Sequence, residues 1–323
     1  RERTAQVMIV DPLNGTTRAL VPSDGIHQDY AGDWHPNGDQ VVIYSNRDAS
    51  GVFNLFMYDL AGGALTQLTT FDSNVSRASF DPTGSYLLYN RRIVETDDIR
   101  YEVRALDLAT LTEFPVAKGF TPAWSRDGRW IAFATEGEVA DIFVMPADCI
   151  LAGDGCDAAA DARNITNSPK VAEREPVFSP DQTQLVYVRD TDGELGTLTW
   201  DIFRHELRTG LHTNLTNTPG SEERHRGWEA VPNVAPVDIA TVLPVVVRVR
   251  TAEGAANLRA EPTTNGTIVG VLPRGTLLIV DGALADRTWY RVTLPEDSAQ
   301  AWIYNTLIDT VAGDLAGVPV VPR

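Results

Sequence analysis

Lysine is nearly missing from this 323-residue sequence: Lys118 and Lys170 are the only two, and arginine supplies the rest of the 27 basic residues. Against 44 acidic residues this leaves a net charge of −17. Such a chain lacks the basic surface that phosphate backbones require, which argues against nucleic acid as a partner. Its acidic surface reads as a solvated one that keeps the protein in solution. Long apolar runs are missing too. The most apolar stretch, 242–249, is broken by Pro244 and Arg248 and is far shorter than the roughly 18 residues of a membrane-spanning helix. No transmembrane segment is expected in this chain. The first residue is Arg1 rather than Met, so a processed chain is expected, with any signal peptide, lipid anchor or membrane domain lying upstream.

Cysteine is scarce: only Cys149 and Cys156 occur, in a turn-like stretch rich in Asp and Gly. A short disulfide-closed loop is expected, and with it an oxidising compartment outside the cytoplasm; two free thiols are the alternative. Zinc would need two further ligands at suitable spacing, and none lies nearby. Catalytic signatures are also missing. There is no Gly-x-Ser-x-Gly elbow, no phosphate-binding glycine loop and no zincin helix. Neither a catalytic residue nor a cofactor nor a metal is therefore assigned. Asp190-Thr191-Asp192-Gly193-Glu194 has half of a calcium-loop pattern without its distal acid, and reads as a hairpin tip.

What the chain does contain is a repeat. Four segments align: Asp33-Trp34-His35-Pro36-Asn37-Gly38, Ser79-Phe80-Asp81-Pro82-Thr83-Gly84, Ala123-Trp124-Ser125-Arg126-Asp127-Gly128 and Val177-Phe178-Ser179-Pro180-Asp181-Gln182. Each places an aromatic before a turn, and an alternating apolar strand follows. Pro presets one turn position, and Gly or Asn tolerates the left-handed one, which makes a hairpin. A third strand follows in each unit, as in Asn54-Leu55-Phe56-Met57-Tyr58, and short closing strands follow three of them. Four strands per unit is one propeller blade. The marker aromatics Trp34, Phe80, Trp124, Phe178 and Trp228 are 46, 44, 54 and 50 residues apart, near the blade period of about 40–45 residues once loops are added. The longest step holds the cysteine loop, as an insertion between outer strands would.

The turn Trp124-Ser125-Arg126-Asp127-Gly128, with Phe178-Ser179-Pro180-Asp181 and the following Ile-Phe-Val-Met-type strands, resembles the TolB-like propeller family. Arg126 stands where the family usually has Pro, and Gln182 where it has Gly. The resemblance implies an all-β chain with a β-propeller over residues 1–232. Four complete blades are expected. A fifth would join the outer strands near residues 6–15 to the inner strand around Trp228; six or seven blades are possible if upstream blades exist.

Residues 233–244, with Pro236 and Pro244, read as a linker. Five or six short strands then fill 245–309, which predicts a small β-barrel. Asn257-Leu258-Arg259-Ala260-Glu261-Pro262, Pro273-Arg274-Gly275-Thr276, Trp289-Tyr290-Arg291-Val292 and Ala301-Trp302-Ile303 resemble the bacterial Src-homology-three-like family. In that family the domain commonly binds cell-wall peptide or protein surfaces. Residues 310–323 read as a tail.

One residue pattern suggests a site. Arg77, Arg174, Arg224, His225 and Arg226 precede the marker aromatics, where the chain enters an innermost strand near a channel mouth. Arginines there would hold a carboxylate or peptide through bidentate contacts. Alternatively they pair with the neighbouring Glu173, Glu175, Glu222 and Glu223. The expected function is non-catalytic binding or scaffolding at the cell envelope or surface, periplasmic or extracellular, with protein, peptide or peptidoglycan as partner. The alternatives are a propeller lyase or hydrolase using His225, and the ectodomain of a larger surface receptor.

Overall fold

In a computed structural model of the chain, residues 5–322 are described except 96–97, 138, 154, 169, 192–198, 219–220, 224–234, 252–253 and 295–298. The chain divides into two compact units, Arg1–Glu136 with Met145–Ala162, and Gly137–Val144 with Arg163–Arg323.

The described residues form four four-stranded antiparallel sheets, one two-stranded sheet and one seven-stranded sheet. Strands β1 (Met8–Val10) and β2 (Thr17–Ala19) make the two-stranded sheet. The first blade is β3 (Asp29–Trp34), β4 (Gln40–Ser45), β5 (Asn54–Asp59) and β6 (Leu65–Gln67). The second is β7 (Val75–Phe80), β8 (Tyr86–Glu95), β9 (Asp98–Asp107) and β10 (Glu113–Lys118). The third is β11 (Phe120–Trp124), β12 (Trp130–Ala134), β13 (Ile142–Pro146) and β14 (Arg163–Asn164). The fourth is β15 (Glu173–Phe178), β16 (Gln184–Asp190), β17 (Trp200–Glu206) and β18 (His212–Asn214). The protein is an all-β propeller of four-stranded blades followed by a small barrel. The inner strand expected around Trp228 lies outside the described residues.

The repeat turns are stitched by their own polar side chains. In the third blade the Trp130 amide donates to Ser125 Oγ at 2.9 Å, and Ser125 Oγ donates to Asp127 at 2.6 Å. The fourth blade repeats this with the Gln184 amide, Ser179 and Asp181. On the outer side, Asp141 and Asp201 open β-strands and each accepts from an Asn and a Thr of the closing segment: Asn164 and Thr166, Asn214 and Thr216. The same two Thr hydroxyls accept the Ile142 and Ile202 amides at 3.0 and 3.1 Å, satisfying backbone donors that the ladder leaves unpaired.

Phe80, Trp124 and Phe178 are buried, as the repeat predicts, but Trp34 is 51% exposed. Phe80 lies against His35 of the preceding blade, ring centroids 4.9 Å apart. Among the described residues the sheet before Trp34 consists of β1 and β2, which with Leu20 and Val21 cover Val41, Ile43, Phe56 and Tyr58. It has no described inner hairpin to cover Trp34.

The cysteine loop is an insertion between β13 and β14, as its spacing suggests, but it is helical rather than a turn. Helix α1 (Asp148–Ala152) buries Ile150 and ends at Gly153, which is left-handed; α2 (Ala158–Asp161) follows. The Cys156 amide donates to the Pro115 carbonyl at 3.1 Å, fixing the loop on β10.

The barrel strands are β19 (Val245–Val249), β20 (Ala255–Arg259), β21 (Ile268–Pro273), β22 (Leu277–Ala283), β23 (Trp289–Thr293), β24 (Gln300–Tyr304) and β25 (Ile308–Ala312), in the order β21-β20-β24-β23-β22-β19-β25. The stretch read as a tail is built into it. β25 pairs β19, and Val318 joins the core around Val247, Leu258 and Ile303. Residues 235–244 are also packed rather than loose: Ile239, Val242 and Leu243 are buried.

Candidate functional site

Each innermost strand carries a β-bulge at its entrance. Two residues oppose one across β3/β4, β7/β8, β11/β12 and β15/β16. In three of them a non-glycine residue takes the left-handed conformation: Arg77 (φ 56°), Thr121 (φ 54°) and Glu175 (φ 57°). Such a residue costs about 1–2 kcal/mol, so the surroundings must hold it. They do so with polar bonds between neighbouring strands. Asp33 accepts the Phe80 amide at 3.0 Å, and Asn90 accepts the Thr121 amide at 2.9 Å. Burial pushes the Asp33 carboxyl above its ordinary range.

Arg77 and Glu175 therefore hold equivalent positions, whereas Arg174 stands one residue earlier, level with Tyr30, Ser76 and Phe120. Arg174 is half-buried, with its guanidinium over the Trp200 ring at 5.3 Å. The sequence already holds this offset, since Arg77 stands three residues before Phe80 and Arg174 four before Phe178. Arg224, His225 and Arg226 lie outside the described residues. Cys149 and Cys156 are joined as a disulfide, with Cα atoms 5.1 Å apart.

The fourth blade holds a buried polar cluster that the sequence reading missed. Glu173 is fully buried; its Oε1 accepts from Ser168 Oγ at 2.9 Å and lies 3.7 Å from Arg189 Nε. Burial pushes Glu173 up to about 7, opposed in part by Arg189. Arg189 Nη1 also meets His212 Nε2 at 3.0 Å, and its guanidinium covers the Phe203 ring. Burial raises the Tyr187 hydroxyl. It lowers His205 to about 3, helped by the charges of His212 and Arg189. The signals in the sequence were Glu173, read there as a partner for the channel-mouth arginines, and Arg189, a charge ending the apolar run 185–188. General acid–base chemistry needs a group within reach of a substrate proton. Glu173 and His205 are sealed from solvent, so this cluster does structural work. Among the described residues, no three His, Cys, Asp or Glu side chains are grouped to hold a metal ion.

The barrel sits directly on the fourth blade. Thr293 Oγ1 donates to the Thr209 carbonyl at 3.0 Å, and Asn167 Nδ2 donates to the Leu277 carbonyl at 3.2 Å. Gly210 faces Ile279 so closely that a Cβ there would lie 2.8 Å from Cδ1. Residues 254–309 match the bacterial SH3 domain family. The barrel is a bacterial SH3 domain.

The propeller that carries this SH3 domain has the fold of TolB. TolB from Acinetobacter baumannii superposes with a TM-score of 0.53 at 15% identity, covering 94% of this chain and 61% of that one. The chain thus spans about three fifths of that protein's length. A putative TolB from Agrobacterium tumefaciens gives a TM-score of 0.47 at 16% identity, covering 62% of this chain and 69% of that one. An oligogalacturonate lyase in complex with manganese gives 0.41 at 15% identity, covering 94% and 97%. At such identities the likeness concerns fold alone. No curated protein matches the chain.

Proposed function

We propose that this protein is a non-catalytic binding or scaffold protein of the bacterial cell envelope or surface. The propeller engages protein or peptide partners, and the SH3 domain attaches it to wall or to another protein. The observation that carries this reading is the SH3 domain seated on the fourth blade as part of one compact unit. Such seating delivers a recognition module in a fixed orientation to its neighbour. The disulfide supports export, since such bonds persist in oxidising compartments. None of the described helices is long and apolar enough to cross a membrane.

The test is co-sedimentation of the purified full chain with purified sacculi, alongside cross-linking to envelope proteins in isolated envelopes. Retention by sacculi, or one specific cross-linked envelope protein, is expected. Absence of both overturns the reading.

A further inference from the structure

The first blade carries a set of aromatic rings at the entrance of its innermost strand. Tyr30 of β3 and Tyr44 of β4 are cross-strand partners, and their rings stack with centroids 5.3 Å apart and planes 14° apart. Phe53 makes T-shaped contacts with both, at 5.5 and 6.1 Å. Tyr44 and Phe53 are half-buried, whereas Tyr30 is 39% exposed. The stack presents an amphipathic ring to solvent on a rigid base.

Side-chain amides border these rings, and each has spent its oxygen. Gln28 Oε1 accepts the Tyr30 hydroxyl at 3.2 Å, Asn46 Oδ1 accepts the Gln28 backbone amide at 2.8 Å, and Asn74 Oδ1 accepts the Phe53 amide at 2.9 Å. The nitrogens of the same three side chains donate to nothing among the described residues. Each brings two N–H donors. Charge beside them is paired: Arg47 Nη2 donates to both oxygens of Asp29, at 2.7 and 2.6 Å. The site therefore offers donors and a ring face rather than charge.

Asn74 is also the corner between this floor and a wall. Its carbonyl accepts the Arg92 amide at 2.9 Å, where the β8–β9 hairpin rises. Both strands of that hairpin have ten residues and stay paired out to Glu95 and Asp98. The guanidinium of Arg91 lies over the Phe71 ring at 4.0 Å, and the Phe71 amide donates to Asn54 of the first blade. Alternation therefore turns Ile93 and its partner Arg100 to that same side. Arg100 is neutralised by Glu95 and Glu102.

We propose that this corner is a carbohydrate-binding site for a neutral chain of N-acetylated pyranose rings. The C–H groups of one sugar face rest on the side of Tyr30 opposite Tyr44, partial positive charge meeting the electron-rich face of the aromatic ring. The acetamido carbonyl takes the amide donors. A hydroxyl brings a proton that needs an acceptor of its own, whereas a carbonyl oxygen brings none, so a donor-rich site selects the acetamido group. An aromatic surface with a few placed polar groups is the general makeup of a small-ligand site. This goes beyond the reading of the propeller as a surface for proteins and peptides and assigns it a second ligand class.

The test is an NMR titration of the full chain with chitotriose, and with cellotriose, which has hydroxyls in place of the acetamido groups. Chitotriose should bind saturably and shift the side-chain NH2 signals of Asn46 and Asn74. Cellotriose should bind about tenfold more weakly, and Y30A should weaken chitotriose by about tenfold. N74D keeps the oxygen that holds Phe53 and loses the donor, so it should weaken chitotriose by about fivefold. Absence of chitotriose binding, equal binding of cellotriose, or binding unchanged in Y30A overturns the proposal. Should Y30A fail to fold, Tyr30→Leu, which keeps Tyr44 covered, carries the same comparison. Sacculus retention is measured on the same samples. Retention without chitotriose binding sinks this site and leaves the attachment reading standing.

Discussion

Gln182 and Val237 are joined by a hydrogen bond from the buried Gln182 Nε2 to the Val237 carbonyl at 2.8 Å. Gln182 occupies the left-handed turn position, φ 61°, where the three other blades have Gly38, Gly84 and Gly128. Its backbone is strained there, and its side chain gains a grip on residues 235–244, with the Val237 amide donating to Asp181 beside it. The departure from the repeat is thus a clasp between the fourth blade and the segment leading to the SH3 domain.

This clasp sets the first prediction. A Q182A variant keeps the strain and loses the bond, so it should be destabilised by about 1–3 kcal/mol. A Q182G variant relieves strain of about 1–2 kcal/mol and should lie near the unaltered chain. Urea denaturation of the three chains measures the difference; a Q182A chain as stable as the unaltered one would refute the clasp.

Glu173 predicts a neutral-pH dependence. Its folded carboxyl titrates at about 7, above the ordinary 4.5, because burial favours the neutral form. Its contribution to stability is complete below pH 4.5 and is lost as pH rises through 7. An E173Q chain should therefore lose less stability than the unaltered chain between pH 5 and pH 8, both read by thermal denaturation across that range.

His205 acts in the opposite direction. Burial holds it neutral down to about pH 3, whereas an exposed histidine protonates near 6.5. Its contribution is present above 6.5 and disappears as pH falls toward 3. An H205F chain should be less sensitive to acid over that window. An unchanged acid limb would show that His205 is not the responsible group.

The disulfide closes a short loop. Replacing Cys149 and Cys156 by Ser should cost about 2.5 kcal/mol, the loop-closure entropy expected for a ring of this size. Ile150 stays buried on the same loop, so the loop should loosen rather than detach. Protease sensitivity at 147–157, with and without reductant, measures this.

Sequence by itself determined the propeller and the barrel. Turn chemistry such as Ser125-Arg126-Asp127-Gly128 and strand alternation are local, and a repeat displays them several times. The pairing of Cys149 with Cys156 was legible for the same reason: the two lie seven residues apart. Tertiary structure alone decided the rest. The bulges at the entrances of the innermost strands depend on pairing between strands. The exposure of Trp34, against the burial of Phe80, Trp124 and Phe178, depends on how neighbouring sheets pack. Glu173, Arg189 and His205 become one cluster only because three strands bring them together, and residues 314–322 become part of the barrel only because β22 leaves an open edge. Contacts between residues far apart in the chain leave no periodic trace in it, so composition and spacing could not reveal them.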